Sequence, residues 1–127
     1  MKSIILILSI LFSLTSCSDD KIEKQEIDIT GLWSLIKFEP GFSPTENFSE
    51  NQIIWSFQQT NILKIQIDNT VSTPPLKTEG EYNFSINGNR VTIDNMKYDF
   101  SINENILIIS DNPSSDGFKA TFSKEIE

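Results

Sequence analysis

The feature that most constrains this chain is a hydrophobic period of two, which recurs from Gly31 almost to the C-terminus. Apolar and polar residues alternate in Tyr82-Asn83-Phe84-Ser85-Ile86, in Met96-Lys97-Tyr98-Asp99-Phe100-Ser101-Ile102 and in Phe118-Lys119-Ala120-Thr121-Phe122-Ser123. Successive side chains of a strand point to opposite faces, so these runs describe strands with one buried and one wet face. Ala120 is the only alanine, and no long segment is built from strong helix formers; β-branched and aromatic residues dominate instead. The chain reads as an all-β domain.

Eight strands are predicted, at approximately 31–38, 52–58, 61–67, 79–86, 89–94, 97–102, 105–110 and 117–124. Asn87-Gly88 is the strongest hairpin signal, and Asp94-Asn95 and Asn103-Glu104 suit tight turns. Two longer connections, 39–51 with Pro40, Gly41 and Pro44, and 68–78 with Pro74-Pro75, belong at the surface. Eight short antiparallel strands joined mostly by hairpins predict an up-and-down barrel, which removes exposed sheet edges. A β-sandwich is the alternative.

With the aromatic faces turned inward, the barrel interior holds Trp55, Phe57, Tyr82, Phe84, Tyr98, Phe100, Phe118 and Phe122. Eight strands enclose a space that side chains can just fill, or that admits one small ligand. Rings that bury roughly 150–250 Å² each favour a filled core. In the cavity case Trp55, Tyr82 and Tyr98 supply apolar walls with polar handles. Arg90, the only arginine, is expected on the solvent face beside Val91 and Ile93; gripping a ligand carboxylate would require the opposite register. The run Asp111 to Gly117 lacks the alternating oxygens and distal glutamate of a calcium loop and reads as a turn. Asp94 and Asp99 could form a carboxylate pair, but hairpin geometry and polar-face positions explain both. Phe42 and Phe48, in the stretch from Pro40 to Glu50, either form a lid or tuck into the core.

The N-terminus has a different organisation. Met1-Lys2-Ser3 is followed by an apolar run from Ile4 to Leu14 and then by Thr15-Ser16-Cys17. A positive start, a short apolar stretch and small residues describe a secretory signal peptide. The run is too short to span a bilayer, which takes about 20 apolar residues. Residues from Ser18 to about Asp28 are polar and form a solvated tether. The predicted organisation is therefore a signal peptide over 1–16, Cys17 and a flexible tether over 17–28, and a barrel domain over 29–127.

Composition narrows the chemistry. The 127-residue chain carries a formal charge of −8, which becomes −9 when Lys2 leaves with the leader, and basic residues are never clustered. Such a surface repels phosphate backbones, so no nucleic-acid partner is expected. Cys17 is the only cysteine and histidine is absent. Intramolecular disulfides, Cys/His zinc sites and histidine-assisted nucleophiles are excluded, and neither an enzyme, a metal site nor a non-covalent cofactor is expected.

Two resemblances extend this reading. Leu14-Thr15-Ser16-Cys17 resembles the lipobox of bacterial lipoproteins. The resemblance implies that the Cys17 thiol takes a diacylglyceryl group and that cleavage frees its amine for an N-acyl chain. An ordinary cleavage site is the competing reading, but Leu14 is larger than the residue preferred three before that cut. Each buried CH₂ contributes about 0.8 kcal/mol, so two or three chains make a durable anchor. Acidic Asp19 and Asp20 after the cysteine are similar to signals that carry lipoproteins to the outer face of the outer membrane in certain Gram-negative bacteria. This implies an outer-membrane protein, surface-exposed or periplasmic.

Gly31-Leu32-Trp33 opens the first strand as Gly-x-Trp and resembles lipocalins, whose tryptophan closes one barrel end. With Gly80-Glu81-Tyr82 and the Tyr98, Phe100, Ile102 strand, the domain is similar to small lipocalin-like domains of bacterial lipoproteins over roughly 28–125. The resemblance implies barrel closure by Gly31, Trp33 and Lys124, with Lys124 standing where the full-length family usually has arginine. It further implies a monomeric, membrane-anchored extracytoplasmic protein that binds a small apolar ligand. The alternative is a cell-envelope protein–protein interaction or inhibitor module with a filled core.

Overall fold

The computed structural model describes residues 28–111 and 117–125. The expected signal peptide, Cys17, the tether up to Ile27 and residues 112–116 of the predicted turn lie outside the described residues. The strands are β1 (Gly31–Glu39), β2 (Glu46–Asn47), β3 (Ile53–Phe57), β4 (Ile62–Ile67), β5 (Gly80–Asn87), β6 (Arg90–Ile93), β7 (Met96–Asn103), β8 (Ile106–Ser110) and β9 (Lys119–Lys124). All pairings are antiparallel, and β3 to β9 follow one another in chain order. β1 pairs with β3 on one side and β9 on the other, from Trp33↔Lys124 to Glu39↔Lys119. The sheet therefore closes into an eight-stranded up-and-down barrel of lipocalin-like architecture, as the alternation predicts, and the sandwich alternative is excluded.

β2 is the addition. Its two residues sit inside the connection expected to be irregular, and pair as Lys37↔Asn47 and Phe38↔Glu46. The register between β1 and β9 shifts between Leu35 and Lys37. This bulge at Ile36 resets the alternation, so Trp33, Leu35 and Phe38 all face the interior. The spare edge of β1 beyond Ser34 is then covered by β2, with the Phe48 amide donating to the Ile36 carbonyl at 3.0 Å.

Burial follows the period of two. Trp33, Leu35, Ile53, Trp55, Phe57, Leu63, Ile65, Phe84, Val91, Ile93, Phe100, Leu107, Ile109, Ala120 and Phe122 form the buried interior. Rings two strands apart meet within it, Trp55 with Phe122 at 4.9 Å between centroids and Phe57 with Phe84 edge-on at 5.0 Å. Tyr82 and Phe118, expected in the same interior, are only half-buried. Tyr82 precedes the β5–β6 ladder, which starts at Phe84, and Phe118 precedes β9, so each lacks a flanking strand.

Two turn centres lie one residue later than expected. The first hairpin pairs Asn87 with Arg90, leaving Gly88-Asn89 at the centre, with Gly88 at φ 61°. Glycine at the first central position marks a type II′ turn, whose twist matches the strands. The other pairs Asn103 with Ile106, which puts Glu104 in the left-handed region at φ 56°. Asp94-Asn95 is centred as predicted, with φ 50° and 68°, the type I′ pattern.

Candidate functional site

The barrel has two unlike ends. At the end closed only by short turns, termed the narrow end, lie the start of β1, the 58–61, 88–89 and 104–105 turns and the end of β9. The end bridged by long connections is termed the wide end. Ile29, 97% buried, plugs this end ahead of β1, and Trp33 Nε1 donates to the Ile29 carbonyl at 2.9 Å. Lys124 Nζ stands 5.7 Å from the centroid of the Trp33 ring. A Cβ added at Gly31 (φ 132°) would lie 3.6 Å from Cε of Lys124. Gly31, Trp33 and Lys124 thus meet at the narrow end: the glycine gives the chain its left-handed entry, the tryptophan fills the base, and the lysine stem crosses beneath. Asp28 accepts from the Thr30 hydroxyl at 2.6 Å and the Thr30 amide at 3.0 Å. These bonds, aided by the nearby Lys124 charge, hold its carboxyl below the usual carboxylate range.

At the wide end lie the 40–52 and 68–79 connections, the Asp94-Asn95 turn and the start of β9. Phe38, Phe118 and Tyr98 form a chain of rings there, with centroids 5.7 and 5.6 Å apart. The 68–79 connection folds back over the rim, and Val71 and Leu76 pack against the core. Leu76 stands at φ 73° between Pro75 and Lys77, whose backbone atoms bond at 2.9 Å in a γ-turn. Tyr82 Oη donates to the Thr78 carbonyl at 2.9 Å and fastens this connection, while Lys77 Nζ lies 5.0 Å from the Tyr82 ring centroid. The Asp68 amide donates to the Gln52 carbonyl at 2.8 Å, tying the two long connections together.

The three expected ligand-binding residues occupy different depths. Trp55 is 98% buried in the interior on β3, Tyr98 is buried on β7, and Tyr82 is half-buried at the rim on β5. They share the inner face but form no mutual ring contact among the described residues; Trp55 meets Phe57 and Phe122, and Tyr98 meets Phe118. Burial, with a smaller contribution from the Asp111 charge, raises the Tyr98 phenol above its ordinary value. Tyr98 Oη donates to Met96 Sδ at 3.7 Å. Trp55 Nε1 is buried without a hydrogen-bond partner among the described residues.

The remaining candidates resolve simply. Arg90 lies on the outer wall 3.3 Å from Asp99, its cross-strand partner, so Asp99 faces a guanidinium and not Asp94. Phe42 is 84% exposed, and only Phe48 of that connection packs against the core. A polar hollow of about 370 Å³ on the outer wall near the narrow end is lined by Ser34, Glu50, Asn51, Asn105, Ser123, Lys124 and Glu125. Its floor, Ser34, is buried and accepts the Asn51 amide at 2.9 Å, so its hydroxyl anchors a turn. Lys77 and Phe38 were not singled out in the sequence reading, and Met96 entered it only as a member of its alternating strand. Phe38 was hidden by the bulge, while the shared face of Met96 and Tyr98 was visible in their two-residue spacing. No protein-family model matches the chain, and no curated protein matches it.

Proposed function

We propose that this protein is a lipid-anchored cell-envelope module whose barrel holds a small, mostly apolar molecule bearing one hydrogen-bond acceptor. The observation that carries this reading is the buried Trp55 Nε1, which has no acceptor among the described residues. Leaving such a donor unsatisfied costs about 1–3 kcal/mol, and most buried polar groups find partners. A carbonyl, carboxyl or ether oxygen of a ligand at this position offsets that cost, and the apolar walls supply the rest of the affinity. The wide end is the way in, since its rim is built from half-buried side chains while Ile29 and Trp33 seal the other end. Native mass spectrometry of protein isolated from its own host tests the idea. A bound small molecule in wild type that is diminished in Trp55→Phe supports it; unliganded protein in both contradicts it.

The anchor in this reading rests on Leu14-Thr15-Ser16-Cys17 and the polar tether. Labelled palmitate should enter the protein in its host and be lost in Cys17→Ala. Label persisting in that variant overturns the anchor. The filled-core alternative, an envelope interaction or inhibitor module, is favoured by the ring contacts at 4.9 and 5.0 Å and by the exposed Phe42. Pull-down from membranes with wild type and a form whose 40–52 connection is swapped decides that second reading: identical recovered proteins count against it.

A further inference from the structure

We infer that Met96 is a modification site, a rim thioether placed for two-electron oxidation by a peroxide and for capture of the resulting sulfoxide by Tyr98. Three observations converge on it. Met96 is 54% exposed, so a peroxide reaches its sulfur without local unfolding. The residue follows the Asp94-Asn95 turn and pairs with the fully buried Ile93, which fixes its side chain on the inner face of the rim. On that same face, two residues on, the Tyr98 hydroxyl already points at the sulfur from 3.7 Å.

The donor is pre-organised. The Tyr98 ring is 92% buried, lies opposite Val91 in the sheet and contacts Phe118 at 5.6 Å. A thioether is a weak acceptor, whereas a sulfoxide oxygen is strongly polar and sits one bond length out from the sulfur. In the reaction the sulfur lone pair attacks one peroxide oxygen and the O–O bond breaks. That oxygen stays on sulfur as the sulfoxide, and the other leaves as water after taking up a proton. The apolar edge of the mouth thereby becomes a polar group tied to Tyr98. Met96 and Met1 are the only methionines of the chain, so the site can be followed without interference.

The test treats the purified full chain with hydrogen peroxide alongside free methionine, maps the oxidised peptides by mass spectrometry and measures thermal midpoints. Wild type, Tyr98→Phe and Met96→Leu are compared. The Met96 peptide should gain one oxygen while the free methionine in the same tube is consumed. Oxidation should be better tolerated by wild type than by Tyr98→Phe, the two shifts in midpoint differing by about 4 °C, as one hydrogen bond gained in a domain of this size implies. Met96→Leu should show no shift. An unmodified Met96, equal shifts in wild type and Tyr98→Phe, or the same shift in Met96→Leu overturns the inference.

Discussion

The two ends of the barrel are made from the same alternating strands and differ in how their polar groups are spent. At the narrow end the buried indole of Trp33 has its acceptor at 2.9 Å, a cation below its ring, and short turns around it. Directly across from it on β3, the buried indole of Trp55 has no partner among the described residues, and the rim at the wide end is closed by long connections carrying Val71, Leu76 and Tyr82. A tryptophan whose donor is satisfied contributes both area and a hydrogen bond. One whose donor is orphaned retains the area and gives back part of it. The bonded indole of Trp33 thus adds stability at the narrow end that the indole of Trp55 does not match.

Truncating the base should break the molecule most severely. Trp33→Ala is expected to lower unfolding free energy by about 3–5 kcal/mol in denaturant titrations, while Phe42→Ala at the exposed rim changes it by less than about 0.5 kcal/mol. Similar losses at both positions would erase the distinction between the ends. The comparison sharpens with a gentler pair. Trp33→Phe should cost at least about 1 kcal/mol more than Trp55→Phe, because the first abandons the Ile29 carbonyl and the second removes an unsatisfied donor.

Glu104, in the left-handed region at φ 56°, offers a gain at the narrow end. Glu104→Gly should raise stability by about 1 kcal/mol, read from the shift in denaturation midpoint at unchanged slope. Lys124→Met keeps the stem over Gly31 and removes the charge over Trp33, so a loss of about 0.5–1 kcal/mol is expected. At the wide end the corresponding signature is alkaline. The folded Tyr98 phenol is raised above its unfolded value, so its contribution is whole below about pH 10 and fades as pH climbs through that value. Wild type should therefore destabilise more steeply above about pH 10 than Tyr98→Phe; parallel curves would remove burial of the phenol from the account.

Most of the barrel was legible because a period of two needs no tertiary information. The inner positions of β3, β4, β6 and β8 are buried as the alternation requires. The meeting of Gly31, Trp33 and Lys124 at one end was legible from a resemblance and a strand position rather than from pattern alone. What escaped depended on a broken period or on rotamers. Glu46-Asn47 has no alternation to betray a strand, and it pairs only because β3 stops at Ser34↔Ile54 and leaves the edge of β1 beyond it uncovered. The hairpin centred on Gly88-Asn89 differs by one residue from the Asn87-Gly88 signal because strand register, fixed by Ile86↔Val91, decides which residues turn. At the candidate site, sequence supplies ring types on one face but not where an indole N–H points. The Trp55 mismatch, the Tyr98–Met96 bond and the Lys77–Tyr82 contact therefore emerge only in three dimensions.

The two indole N–H resonances, observed together in one ¹⁵N–¹H spectrum, test the central contrast most directly. Titration with an organic extract of the host envelope should shift the Trp55 indole signal as it gains an acceptor and leave that of Trp33, already bonded to Ile29, in place. A Trp55 signal that stays fixed throughout, or one that moves only in step with Trp33, would contradict the account.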